Sequence, residues 1–549
     1  MGDAPGSMKR RDFLRSSAIA AAATAVVDVT RLNAEAASPV RPTAVEQQGT
    51  FDLEEATVAS LQSEMQSGRR TARSIAESYL ARIEAMDRNG PAVNSVIEIN
   101  PDAVGIADER DAERKAGRVR GPLHGVPVLI KDNIDTADRM RTSAGSLALA
   151  ASMAPRDAFI VERLRDAGAV ILGKTNLSEW ANFRSTHSSS GWSGRGGQTK
   201  NPYALDRNPC GSSSGTGAAI SANFAALGIG TETDGSIVCP SSACGLVGIK
   251  PTLGIVSRAG IIPISHSQDT AGPMARTVTD AATLLTVMRG IDARDSATSD
   301  ARGRPVIDYA ASLATSALRG TRIGVARNYF GFSDAVDRVM DEAIAAMKSA
   351  GAVIVDPANI ATAGKFDDAE FEVLLYEFKA DLNAYLASLG PSAPHKTLAD
   401  LIAFNEQHRD REMPYFGQEI FIQAQAKGPL TTKAYRDARA KCVRMARTEG
   451  IDATLAKHRL AAIVAPTGGP AWPTDLLNGD HFTGGSSTPA AVAGYPNVTV
   501  PAGLVHGLPV GISFMGARWS DASLIALAYA FEQATKVRVA PRFLQSVRL

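Results

Sequence analysis

Apolar positions recur every three to four residues from 71 to 87, where Ile75, Tyr79, Ile83 and Met86 fall on one face. That spacing predicts an amphipathic helix, with Thr71 in the N-cap position. A different pattern follows. Val126-Pro127-Val128-Leu129-Ile130 is a short continuous apolar run ending on a charge, Lys131, and reads as a buried strand. Helix and strand then alternate. A helix is predicted over 159–168, a strand over 169–172, a helix over 218–225 and a strand over 227–229. Short apolar strands alternating with helices predict an α/β fold, a central mixed twisted sheet covered by helices.

The pattern changes near residue 330. From there to 455 the chain is charged and helical in period, as in 371–386 and 432–458, and reads as a mainly helical insertion. Strand character returns at 461–465 and 498–500, and a last helix is predicted over 523–533. No internal repeat is visible.

Composition narrows the functional classes. The 549 residues are 44% hydrophobic and 21% charged, ordinary for a soluble globular chain. The 58 basic and 57 acidic side chains nearly cancel, which supplies no electrostatic reason to expect nucleic acid or an anionic membrane as partner. The N-terminus carries its own signal. Lys9-Arg10-Arg11-Asp12-Phe13-Leu14 precedes an Ala-rich, weakly apolar run and then Ala34-Glu35-Ala36-Ala37, a small-x-small pattern. This reads as a twin-arginine export signal over 1–37, too short to span a bilayer, followed by a polar linker over 38–49. The expected product is exported, periplasmic or secreted, with its folded domain over 50–549 and no stable membrane insertion.

The four cysteines, Cys210, Cys239, Cys244 and Cys442, lack the spacing of a zinc site, and HExxH is absent, so no metal is expected. Cys239 and Cys244 lie five apart. A disulfide between them stays open, but free buried thiols acting as small hydrophobes are the favoured reading.

Candidate chemistry is concentrated between residues 209 and 252. Pro209-Cys210-Gly211-Ser212-Ser213-Ser214-Gly215 is rich in small residues, and Thr231-Glu232-Thr233-Asp234-Gly235-Ser236-Ile237 follows. Glycine allows backbone conformations and close approaches that a β-carbon forbids. Exposed N–H groups in such a loop can hold a developing oxyanion, and serines within it can act as nucleophile and proton relay. No histidine lies in the cluster. Lys131, at the end of an apolar strand, can supply the base, because burial lowers a lysine pKa and a neutral amine accepts a proton. The residues alone leave open that Lys131 caps its strand and pairs with Asp132.

These motifs occur in order: Gly125-Val126-Pro127-Val128-Leu129-Ile130-Lys131-Asp132-Asn133, then Gly-Ser-Ser-Ser-Gly, Gly235-Ser236-Ile237 and Gly248-Ile249-Lys250-Pro251-Thr252. The chain resembles the amidase signature family over nearly the whole region after the leader. The resemblance implies a Ser-Ser-Lys triad in which Ser236 is the nucleophile, Ser212 the bridging serine after a cis peptide bond, and Lys131 the general base. It implies an oxyanion hole of backbone N–H groups from Thr233, Asp234, Gly235 and Ser236, an acyl-enzyme, and no metal or organic cofactor. Three positions depart from the common family pattern. Cys210 stands where Gly is usual, Asp234 replaces a Gly, and Val238 stands where Arg is frequent. An Asp234 carboxylate beside an oxyanion would be unhelpful unless it points away.

Together with Ile262-Pro263-Ile264-Ser265 and Gln268-Asp269-Thr270-Ala271-Gly272-Pro273-Met274, the motifs resemble the peptide amidase branch, which implies removal of C-terminal peptide amides with release of ammonia. The expected partner is thus a small-molecule or peptide amide. The alternatives are an amidase for other aryl or aliphatic amides, an ammonia-supplying amidotransferase subunit, which export argues against, and an amide-binding protein without turnover, which a complete triad argues against.

Other features receive plainer readings. Gly168-Ala169-Val170-Ile171-Leu172-Gly173-Lys174-Thr175 matches the Walker A letters, but its middle is a strand, not a phosphate cradle. Lys250 is expected to be structural, Glu232 and Asp269 to be buried hydrogen-bonding partners, and His266 and His481 to be surface or loop residues. The loop over 484–488 could line the pocket or simply turn the chain. Tyr415 and Phe416 are candidate groove walls, with core packing the commoner role for aromatics.

Overall fold

A computed structural model describes residues 51–547. The export signal expected over 1–37 and the linker over 38–49 lie outside the described residues. The described residues form thirteen strands: β1 (Val96–Ile99), β2 (Pro127–Lys131), β3 (Val170–Thr175), β4 (Trp192–Ser193), β5 (Gly197–Gln198), β6 (Leu227–Glu232), β7 (Val247–Lys250), β8 (Thr270–Ala275), β9 (Arg322–Val325), β10 (Val353–Val355), β11 (Ala462–Pro466), β12 (Asn497–Val505) and β13 (Leu508–Met515). Eleven make one mixed sheet in the order β1-β3-β2-β6-β8-β7-β12-β13-β11-β9-β10, and β4 with β5 forms a separate pair. The expected fold class is the observed one.

Sequence explains this arrangement locally. β3, β2 and β6 run parallel, linked by crossovers that contain the helices Phe159–Asp166 and Ser214–Ser221. Covered on both faces, β2, β3 and β6 are buried at every residue, which is why they read as continuous apolar runs and not as alternations. A second parallel patch, β11-β9-β10, lies at the other end, and antiparallel strands join the two. β12 and β13 make a hairpin whose two turn residues, His506 and Gly507, have φ of 48° and 80°, the left-handed pair that a two-residue turn demands.

The helix predicted from 71 forms as Ala72–Arg82 and continues as a π-helical turn, Ile83–Arg88. Thr71 caps it, and Ser74 completes a reciprocal capping box. The helix expected over 218–225 instead spans Ser214–Ser221. Its first turn, Ser-Gly-Thr-Gly, is entirely buried and has no polar face, so no amphipathic period marks its start.

Between residues 330 and 455 the structure holds the helices Asp334–Ser349, Asp367–Ser388, Leu398–Gln407, Glu419–Gln425 and Lys433–Val443, with the π-helical Arg444–Ile451 continuing the last. It also holds β10, which pairs with β9 at the sheet edge. Phe378, Leu382, Leu386 and Phe421 from these helices pack with Trp180 and Phe183 of the 180–183 turn. The Trp180 and Phe421 rings sit edge to face at 5.7 Å. No described helix is long and apolar enough to cross a membrane.

Candidate active site

Lys131 is the last residue of β2, and its side chain is fully buried. The parallel register sets Ile130 of β2 beside Ile229 of β6, so Lys131 reaches the polar end of that neighbouring strand. Its Nζ lies 2.7 Å from Ser212 Oγ and donates to Thr231 Oγ1 at 3.0 Å and to the Thr231 carbonyl at 3.3 Å. Asn133 Nδ2 also donates to Thr231 Oγ1, at 3.0 Å. Burial pushes the Lys131 pKa from 10.5 to about 7, against the opposing pull of the Asp269 and Glu232 charges. Lys131 does not pair with Asp132, whose carboxylate is taken by Ser143 Oγ.

Ser212 is fully buried and follows a cis Gly211–Ser212 peptide bond. A β-carbon at residue 211 would stand 2.2 Å from Ser178 Oγ, so only glycine fits there. The segment is stitched to its surroundings. Ser178 N–H donates to the Ser212 carbonyl at 3.1 Å, and Ser213 Oγ donates to the Thr231 carbonyl at 3.1 Å. Ser213 N–H donates to the Ser236 carbonyl at 3.2 Å, which sets the two serine-bearing segments side by side.

Ser236 is half-buried and ends the turn between β6 and the helix Val238–Ala243. Gly235 has φ of 79°, and Ser487 Oγ stands 3.0 Å from where its β-carbon would be. Both facts require glycine at that position. Among the described residues, the N–H groups of Thr233, Asp234, Gly235 and Ser236 donate to no protein acceptor. A turn that leaves four donors unspent has what an oxyanion needs.

Carboxylates brace this turn from behind. Glu232 Oε2 accepts from Ile237 N–H at 2.8 Å and Val238 N–H at 3.0 Å. Asp269 accepts from Thr233 Oγ1 at 2.6 Å and from the N–H groups of Ile264 and Ser265, each at 2.8 Å. Both are buried, and burial raises both, Asp269 to about 6. Asp234 points away from the turn. Its two oxygens accept from Ser487 Oγ at 2.5 Å and Thr488 Oγ1 at 2.6 Å, and burial raises its pKa. The loop over 484–488 is therefore tied to the turn. A narrow cavity lined by Asn133, Ala181, Thr231, Thr233, Ile262 and Asp269 lies beside these groups.

The remaining candidates fall elsewhere. Lys250 Nζ donates to the Tyr495 carbonyl at 2.7 Å and the Ala490 carbonyl at 3.2 Å, a structural tie to the helix Thr488–Ala493. His266 pairs with Asp381 at 2.8 Å, and His481 with Asp475 at 3.2 Å. Both rings are exposed, and neither hydrogen-bonds the Lys131 cluster. Phe416 is buried and Tyr415 exposed, and both meet Trp192 edge to face. The Walker-like stretch is β3. Its Lys174 donates to the Ile134 carbonyl at 2.7 Å and Thr142 Oγ1 at 2.8 Å.

The cysteines require a correction. Cys239 is neither a free thiol nor joined to Cys244, because it is disulfide-bonded to Cys210. Cys244 and Cys442 are free and buried. Cys239 and Cys244 stand at opposite ends of the helix Val238–Ala243, whereas the Cys239 end lies against the Ser212 segment. The sequence reading also missed Thr231 as a Lys131 partner. Its place at the end of a strand parallel to β2 was the available signal.

Comparison with known proteins places the chain in a family. The Amidase family model matches residues 74–525, and the chain belongs to that family. It is an amidase, a hydrolase. The native peptide amidase from Stenotrophomonas maltophilia is 53% identical, with a TM-score of 0.86 over 90% of this chain and 100% of that one. A probable amidase of Arabidopsis thaliana is 42% identical, covering 90% of this chain and 93% of the relative. One chain of the glutamyl-tRNA(Gln) amidotransferase of Symbiobacterium thermophilum is 35% identical, covering 85% and 94%.

Proposed function

We propose that the protein hydrolyses carboxamides through Ser236, Ser212 and Lys131, and that C-terminal peptide amides are its substrates, with ammonia as the released product. The observation that carries this reading is the buried Lys131 amine, 2.7 Å from Ser212 Oγ with a pKa near 7. A neutral amine has two N–H groups and one lone pair. With both N–H groups directed to Thr231, the lone pair faces Ser212. Lys131 then takes the Ser212 proton, Ser212 takes that of Ser236, and Ser236 Oγ attacks the carbonyl carbon. The N–H groups of residues 233–236 receive the oxyanion. The relay reversed protonates the leaving nitrogen, and water then cleaves the ester.

The peptide substrate class is supported by the likeness to the Stenotrophomonas enzyme. The test is ammonia release by the isolated chain from a panel of peptide amides, anilides and esters. Fastest release from peptide amides is expected. Preferential turnover of anilides or esters would overturn the substrate class, and ammonia release that depends on tRNA or partner proteins would favour the amidotransferase reading. Export through the paired Arg10 and Arg11 belongs to the same proposal. Replacing both with lysine should hold the protein in the cytoplasm, and unchanged export would reject that route.

A further inference from the structure

The Cys210–Cys239 disulfide closes a covalent ring over a sequence separation of 29, and the ring contains both proposed hydroxyl carriers. Cys210 stands two residues before Ser212, and Cys239 three residues after Ser236. Inside the ring lie the helix Ser214–Ser221, β6 and the oxyanion turn. Each anchor is held by its own backbone. Cys210 N–H donates to Asn208 Oδ1 at 2.8 Å, and Cys239 N–H to the Gly235 carbonyl at 2.8 Å. Cys210 has φ of 61°, a left-handed conformation that disfavours any residue with a β-carbon. A side chain held there needs a tertiary tie to keep it, and the sulfur bridge is such a tie. Trp472 packs against the bridge, and Cys239 is partly accessible.

We propose that Cys210 and Cys239 are positioning residues for catalysis: their bond holds the Ser212 segment beside the Ser236 turn, so turnover depends on the oxidised state. This rests on the relay proposed above. Reduction breaks one S–S bond. A dithiol reductant such as dithiothreitol supplies two electrons and two protons, closes into its own cyclic disulfide and leaves two thiols on the protein. The ring opens, and the Ser212 segment loses its covalent tie to the turn, keeping the Ser213 N–H bond to the Ser236 carbonyl. Neither sulfur is a member of the relay, so reduction is expected to impair the hand-off of the proton and leave binding in place.

The test uses the full chain with Cys244→Ala and Cys442→Ala, so that released thiols come from the bridge alone. On treatment with dithiothreitol, thiol titration should rise by two. kcat for a peptide amide should fall about 10- to 100-fold, as expected for a misplaced reacting group. KM should stay within about twofold, since binding is not the affected step. The rate of Ser236 labelling by a fluorophosphonate should fall with kcat, and reoxidation should restore both. The variant Cys210→Gly with Cys239→Ala accepts the left-handed backbone without strain and should show the same loss without reductant, which decides the matter if dithiothreitol leaves the bridge intact. Full kcat in the reduced protein, with two thiols counted, or in that variant, would overturn the proposal. Failure of the relay itself looks different: Ser236→Ala or Lys131→Ala would then remain active.

Discussion

Two neighbouring strands each carry a fully buried lysine within their last two residues, and they differ in what the amine meets. β2 and β3 pair in parallel, with Ile130 opposite Lys174 and Lys131 opposite Thr175. Burial lowers the pKa of both amines. Lys174 is met by the Ile134 carbonyl and the Thr142 hydroxyl, with the Asp132 and Asp135 carboxylates favouring its charged form. Lys131 is met by Ser212 and Thr231 and is pushed to about 7. Burial alone does not make a base. What sets Lys131 apart is a serine hydroxyl at 2.7 Å, in the segment that hydrogen-bonds the Ser236 turn.

The largest test removes each amine in turn. Lys131→Ala should lower kcat by about 10⁴- to 10⁶-fold, the range seen when a triad member is lost. Its urea midpoint should fall as well, because the Thr231 oxygens lose their donor. Lys174→Met should differ in rate, leaving kcat of the folded protein close to the parent. The stability loss should be about 1–3 kcal/mol, because buried oxygens lose their donor. Equal kinetic losses in the two variants would erase the contrast.

The next effect is on pH. The neutral amine is the proposed base, and the Lys131 ammonium titrates near 7. kcat/KM should therefore rise about tenfold per pH unit below 7 and level off above it. Lys174→Met should leave that acid limb in place. A limb centred several units away would remove Lys131 from the role.

The smallest effect concerns the turn. Asp234→Ala removes both acceptors for Ser487 and Thr488 and should cost a few-fold in kcat, about 1 kcal/mol of positioning. Asp234→Asn keeps one acceptor oxygen and adds donors that the hydroxyls can accept, so it should recover most of the rate. If the alanine and asparagine variants behave alike, the contact with the 484–488 loop is not what orients the turn.

Much of the parallel half of the sheet was legible because continuous apolar runs and turn signals mark β2, β3, β6 and β11. β10 was hidden by its three residues and its partial exposure, and the β12–β13 hairpin was reduced to one short segment. The first turn of the helix after Ser212 was missed because buried small residues carry no period. At the candidate site, Lys131, Ser212 and Ser236 stood out as candidates from residue type and motif order. Thr231 as a partner of Lys131, and Ser487 with Thr488 as holders of Asp234, were not, since each contact joins segments 100 residues or more apart.

Local sequence by itself determined which residues could carry the chemistry: a lysine ending an apolar strand, serines among glycines, and a turn that only glycine can make. Tertiary structure alone decided which lysine meets a serine hydroxyl, which way Asp234 points, and that Cys239 bonds Cys210 and not Cys244. The reason is physical. Propensity and periodicity act over a few residues, whereas desolvation, hydrogen-bond partnership and sulfur pairing depend on groups that only the sheet order brings within reach.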